Sequence, residues 1–198
     1  MGSQTNRPAV KHARRIVLKI GSSILESERE QTVESLAKQI VELKRTGREI
    51  VLVTSGAIFF GVNRLNRTSA PVTLPQKQAT AAVGQPLLMS FYQEVFEKYD
   101  MNTGQVLLTQ DGIHNHQTYL NGCNTMNCLL DMGVVPIVNE NDTVATEELQ
   151  FGNNDMLASL VTTMIDGDLL IILSDVDGLY PEGPDPSSDP IRNISEIN

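Results

Sequence analysis

Five short stretches of the chain are almost entirely apolar: Arg15-Ile-Val-Leu-Lys-Ile20, Glu49-Ile-Val-Leu-Val-Thr54, Gln105-Val-Leu-Leu-Thr109, Val134-Val-Pro-Ile-Val138 and Leu169-Leu-Ile-Ile-Leu173. They are rich in β-branched residues and do not alternate with polar ones, which is the pattern of strands covered on both faces. Between them the apolar residues recur at three- and four-residue steps. Val33, Leu36, Ile40 and Leu43 form one such stripe, with Gly47 as its stop; Leu88, Phe91, Tyr92, Val95, Phe96 and Tyr99 form a second; Met156, Leu157, Leu160, Val161 and Met164 form a third. These spacings predict helices. Strands alternating with helices predict right-handed crossovers and an α/β fold: a three-layer α/β/α sandwich around a mostly parallel sheet.

The remaining segments complete the picture. Residues 1–13 are polar at the start and read as a flexible tail; residues 14–198 read as one domain without repeat or linker. Asn66 to Lys77, rich in Thr, Ser, Pro and charge, reads as a surface loop. Val144 to Phe151 reads as a β-hairpin arm, Pro181 to Pro190 as a loop, and Ile191 to Ile197 as the start of a further element.

Composition narrows the function classes. A chain of 198 residues, 40% of them hydrophobic, can bury a sizeable core without disulfide or metal staples. No apolar run reaches the roughly 18–20 residues of a membrane span. The net charge of −9 argues against a nucleic-acid surface. Cys123 and Cys128 do not have zinc-site spacing, and together with the absence of a signal-like apolar start they point to reduced thiols in a cytoplasmic protein. His114 and His116 have no ligand spacing and read as surface or structural residues.

The chemistry sits where the strands end. In an open parallel sheet, ligands bind beyond the carboxyl ends of the strands. The first stretch ends in Lys19-Ile-Gly-Ser-Ser23, the second in Thr54-Ser-Gly-Ala57, the fourth in Asn139-Glu-Asn-Asp142 and the last in Ser174-Asp-Val-Asp-Gly178. Each cluster alone has an ordinary explanation: Gly for a turn, Lys19 snorkelling from a strand end, Asn and Asp as caps. Four of them on one rim suit phosphoryl transfer, which asks mainly for positioning and charge neutralisation. Neither a Walker A pattern nor a protein-kinase motif set is present.

These clusters, together with Ala81-Ala-Val-Gly-Gln85, Gly104-Gln-Val-Leu-Leu-Thr109 and Asn154-Asp155, resemble the glutamate 5-kinases of the amino acid kinase family, in order from about Arg14 to Asn198. The resemblance implies transfer of phosphate from ATP, with Mg2+, to the side-chain carboxylate of L-glutamate, the first step toward proline. It also implies a homo-oligomer and L-proline as a feedback ligand, while charge and apolar run length, as above, argue against a nucleic-acid or membrane partner. Carried over by position, Lys19 is catalytic and contacts ATP phosphates, and Gly21 and Ser22 shape that loop. Ser55, Gly56, Ala57, Asp142, Asn154 and Asp155 bind or border glutamate. Ser174 and Asp175 border the nucleotide, with Asp175 also catalytic through the orientation of lysines. The resemblance assigns no side chain to a metal.

Two departures stand out: Asn153 where the family has Asp in Gly-Asp-Asn-Asp, and Cys123 where it has Arg in Asn-Ala-Arg-x-Thr. The family's later Gly-Thr-Gly-Gly-Met segment and lysine are not within these 198 residues, so the expected domain lacks its carboxy-terminal portion and has an incomplete nucleotide lobe. A second reading therefore stays open: a weak or inactive glutamate- or proline-binding regulatory module that oligomerises with a complete kinase subunit. A third is an α/β fragment without stability of its own.

Overall fold

The computed structural model describes residues 8–27, 29–67, 69–146, 154–175, 178, 180, 189–191 and 194. Five strands form one all-parallel sheet in the order β3-β4-β2-β1-β5. β1 is Arg15–Ile20, β2 Glu49–Thr54, β3 Thr103–Leu108, β4 Val135–Glu140 and β5 Leu169–Leu173. The apolar runs located β1, β2 and β5 to the residue. β3 starts two residues earlier than expected, and β4 continues through Asn139 and Glu140, which pair with Leu107 and Leu108. Those two polar residues therefore stand on the strand itself, held in strand register.

Helices cover both faces. Ile16, Leu18 and Ile20 of β1 point into one core with α3 (Arg29–Arg45), α4 (Ala57–Arg64) and α5 (Leu74–Glu97). Val17 points into the other, with α7 (His116–Asp131) and α8 (Asn154–Met164). This is the period-two alternation of a strand buried on both faces. The shorter α1 (Pro8–His12), α2 (Ser22–Ser27) and α6 (Gln110–His114) complete the described elements.

Several expectations need correction. Residues 8–13 are tied to the domain: α1 is helical, Ala13 is buried, and Arg48 donates to the carbonyls of Lys11 (3.0 Å) and Ala13 (3.2 Å). The loop expected from Asn66 ends sooner, because α5 begins at Leu74. Thr73 is its N-cap, Pro75 lies in its first turn, and Gln76 Oε1 accepts from the Val72 N–H at 3.1 Å. β5 is not buried on both faces: it pairs with β1 alone and is an edge strand among the described residues, with Ile171 37% and Ile172 43% exposed. The hairpin expected over Val144–Phe151 lies mostly outside the described residues, as do the loop and element expected over Pro181–Ile197.

Asp168 joins β5 to β1. Its carboxylate accepts the backbone N–H groups of Arg14 and Arg15, both at 2.8 Å, and these bonds hold it below the usual carboxylate range. A depressed folded-state value means stabilisation that is present above the ordinary carboxylate pKa and lost as pH falls through the lowered one. Asp168→Asn is expected to lower the melting temperature at pH 7 and to converge with the parent chain in acid. A constant gap across a pH series of melting curves would show that the carboxylate charge contributes nothing.

Candidate functional site

The carboxyl ends of β1, β2 and β4 and the amino end of α8 meet at one rim of the sheet, around a cavity of about 460 Å³. Ser22, Ser55, Gly56, Asn139, Asp142 and Asn154 are among its lining. Ala57, Glu140, Arg67 and Ser69 also contribute.

Each side chain arrives there for a local reason. Gly56, at φ 107°, turns the chain from β2 into α4, and a Cβ at that position would also press on Leu25 at 3.1 Å. The turn makes Ala57 the first residue of α4, whose opening N–H groups precede its first intrahelical bond, Phe60 N–H to the Gly56 carbonyl. α4 seats deeply because Gly61 and Gly84 allow backbone-to-backbone approach. A Cβ on Gly84 would fall 1.8 Å from the Ala57 carbonyl oxygen, and one on Gly61 2.0 Å from that of Thr80. The loop after β4 is stapled from two sides: Asn141 N–H donates to Leu108 O at 2.7 Å, and Gln78 of α5 donates to Ala145 O at 3.0 Å.

Asn154, the first residue of α8, is buried and lies at the centre of a hydrogen-bonded cluster. Its Nδ2 shares two hydrogens among the Thr54 carbonyl, Ser55 Oγ at 2.9 Å and Asn139 Oδ1 at 3.0 Å. Below this cluster, Thr54 Oγ1 and the Tyr92 hydroxyl lie 2.7 Å apart in the core, where burial pushes the Tyr92 phenol far above its ordinary range. Asp142 is partly withdrawn from water, and that desolvation raises its carboxyl above the ordinary carboxylate value.

On the far side, Lys19 shares its face of β1 with Val17 and is only 8% exposed. Its Nζ pairs with Asp155 Oδ1 in the first turn of α8 at 2.7 Å. Gly21 lies beside this pair, with its Cβ position 3.6 Å from Lys19 Nζ and 3.5 Å from the Leu173 carbonyl of β5. Ser174 and Asp175 follow β5, exposed and hydrogen-bonded to one another at 3.4 Å, and they do not line the cavity. Lys19, Asp155 and Gly21 thus stand between the cavity and the end of β5. Among the described residues, no group of three or more His, Cys, Asp or Glu could hold a metal ion.

Sequence reasoning gave no role to Asn139 and Glu140 individually, nor to Arg67, Gln85 or Gln105. Gln85 carries a readable signal: with Ala81, Leu88 and Tyr92 it lies on the buried stripe of α5, where an amide demands a partner.

Comparison with known proteins now decides the family. The model of the amino acid kinase family matches residues 14–198. The chain belongs to the amino acid kinase family. It is 45% identical over 190 residues to a glutamate 5-kinase of Thermus thermophilus, covering 93% of this chain and 51% of that protein. A glutamate 5-kinase of Citrifermentans bemidjiense is 45% identical over 194 residues, covering 95% and 52%. One of Caldanaerobacter subterraneus subsp. tengcongensis is 48% identical over 174 residues, covering 86% and 47%. The chain therefore spans about half the length of these curated relatives. No helix among the described residues is long and apolar enough to cross a membrane.

Proposed function

We propose that the cavity binds L-glutamate and that, in the whole protein, its side-chain carboxylate is phosphorylated by ATP. The observation that carries this reading is the lining of one cavity by Asn154 and Asp142, which we read as an acceptor wall, and by Ser55 and the start of α4, which we read as a donor wall. The Asn154 amide nitrogen is taken up by Thr54, Ser55 and Asn139, which leaves Oδ1 as the atom for the ligand, with Asp142 in the same cavity; both suit an ammonium. Ser55 Oγ already accepts from Asn154, which frees its O–H to donate to a carboxylate. The opening N–H groups of α4 add anion-binding capacity at the same wall.

Lys19 then receives the second carboxylate and the phosphate about to be transferred, exchanging Asp155 for these oxygens. A carboxylate oxygen of glutamate attacks the terminal phosphorus of ATP, an O–P bond forms, and the bond to the bridging oxygen breaks to release ADP. ATP would be held by Gly21, Ser22, Ser174 and Asp175, and Mg2+ would supply neutralisation of its phosphate charge. Residues 14–198 act as the substrate-binding part of the domain. The exposed apolar residues Ile171 and Ile172 on the β5 edge favour a second reading, in which the same cavity takes glutamate or L-proline and another polypeptide surface, including a second copy of this chain, packs beside β5.

Calorimetry on the 198-residue chain tests the substrate. L-Glutamate should bind at least about tenfold more tightly than L-aspartate or L-glutamine, one being a methylene short and the other lacking the second charge. Equal affinity for all three defeats the reading. Turnover is tested separately, as ATP-dependent glutamyl hydroxamate formation.

A further inference from the structure

Behind the acceptor wall, amide side chains connect the cavity to a second, smaller one. Asn154 Nδ2 donates to Asn139 Oδ1 at 3.0 Å, Asn139 Nδ2 to Gln85 Oε1 at 2.8 Å, and Gln85 Nε2 to Gln105 Oε1 at 3.2 Å. Asn154, Asn139 and Gln85 are each at most 9% exposed. The outer pair, Gln85 and Gln105, borders a cavity of about 250 Å³ on the far side of the loop after β4.

The direction of this chain is fixed at one end. The Thr54 carbonyl can only accept, so the Asn154 amide must present Nδ2 to it. The Asn139 atom facing that same Nδ2 must then be oxygen, and its nitrogen is left to face Gln85. Gln85 in turn must offer oxygen inward and nitrogen outward. Every amide in the row is committed by one backbone carbonyl. Reversing any inner member sets two donors or two acceptors face to face inside the protein, where an unmade hydrogen bond is costly.

We propose that Gln85 is a positioning residue: by holding Asn139 Oδ1 against Asn154, it reinforces the orientation that the Thr54 carbonyl gives the Asn154 carboxamide, with Oδ1 turned to the cavity as an acceptor for the ammonium group of the bound amino acid. The inference rests on the reading of the cavity as an amino-acid site, and it concerns a residue that touches no substrate. Without the Gln85 oxygen, Asn139 Nδ2 loses that acceptor and the Asn139 side chain is free to rotate away from Asn154. The Asn139 side chain then no longer holds its Oδ1 against Asn154 Nδ2, and the acceptor wall loses that support from β4. α5, the helix that seats α4 through Gly84, thus acts on the opposite wall through the next residue.

The experiment uses the 198-residue chain in three forms: parent, Gln85→Met and Gln85→Glu. Methionine keeps the volume and removes both bonds, whereas glutamate keeps the oxygen that faces Asn139. The side-chain amide resonance of Asn154 is followed by nitrogen-edited NMR and the affinity for L-glutamate by calorimetry. Gln85→Met should shift the Asn154 signal, speed its hydrogen exchange and weaken glutamate binding about tenfold. Gln85→Glu should restore the Asn154 signal and bring affinity back to within about twofold of the parent. An unmoved Asn154 signal in Gln85→Met, or a Gln85→Glu chain as weak as Gln85→Met, overturns the proposal. If Gln85→Met does not fold, retention of signal and affinity by Gln85→Glu supports the proposal and their loss refutes it. If the parent takes no glutamate while its Asn154 signal responds as described, the amide row stands and the glutamate reading falls.

Discussion

Asp142→Asn is expected to make the free chain more stable and to weaken glutamate binding by about 100-fold, the loss typical when a desolvated ammonium is deprived of its charge partner. Both effects follow from burial, which raises the Asp142 carboxyl through desolvation, with no ion pair to it among the described residues. A folded-state value above the unfolded one means that the folded chain prefers the protonated acid. Its stability falls as pH rises from the ordinary carboxylate value through the raised one, and the penalty is fully developed at neutral pH. Asparagine removes it, so the melting temperature at pH 7 should rise while at low pH the two chains converge. The ligand reverses the sign. An ammonium beside Asp142 favours the ionised form, so affinity should fall as pH drops through the raised value, and binding near that pH should release a proton visible as buffer-dependent heat. Asparagine at 142 should abolish this dependence. A destabilised Asp142→Asn chain, or one that binds glutamate like the parent, would place the residue outside the ammonium site.

How much of this was legible beforehand depended on the range of the interaction. β1, β2 and β5 could be located to the residue because strands in a parallel sheet announce themselves locally, as unbroken apolar runs. β5 still misled in one respect. The run Leu169–Leu173 is as apolar as a central strand, yet its place at the sheet edge leaves Ile171 and Ile172 exposed among the described residues. Nothing local distinguishes an edge strand from a central one.

The first two turns of α5 were hidden for a different reason. From Leu74 to Ala82 the helix carries Pro, Gln, Lys, Thr and Ala with no apolar stripe, and its start is marked by Thr73, Pro75 and Gln76, residues that equally well describe a loop. The strand-end clusters pointed to one rim of the sheet, and Ser55, Gly56, Ala57, Asp142 and Asn154 line one cavity there. The burial of Lys19 against Asp155 and the amide row from Asn154 to Gln105 could not be read, because each joins residues far apart in the chain. Such partnerships are set by the register of β2 on β4 and by the seating of α5, which only the assembled sheet defines.

That seating gives the expectation with the largest structural effect: Gly84→Ala should destabilise the chain by about 3 kcal/mol, a fall in melting temperature of roughly 6–12 °C for a domain of this size. Alanine is ordinarily the better helix former, by roughly 1 kcal/mol, so propensity alone predicts the opposite sign. Sterics decide against it. The new methyl would lie 1.8 Å from the Ala57 carbonyl oxygen and 2.4 Å from the Gly61 nitrogen, contacts with backbone that no side-chain rotation can relieve. α4 must move away from α5, and Ala57 opens α4 directly after the Gly56 turn, so the donor wall moves with it. Any Gly84→Ala chain that remains folded should bind glutamate more weakly, although residue 84 contacts no ligand. Gly47→Ala serves as the control. Its Cβ has no atom within 4 Å, so the substitution costs only the strain of a positive φ, 83°, on a surface turn remote from the cavity, and should leave affinity unchanged. Thermal unfolding and calorimetry on the two variants separate the causes. A stable Gly84→Ala chain with parental affinity would mean that α4 and α5 can part without disturbing the rim, and that the close approach of these helices does not hold the site in place.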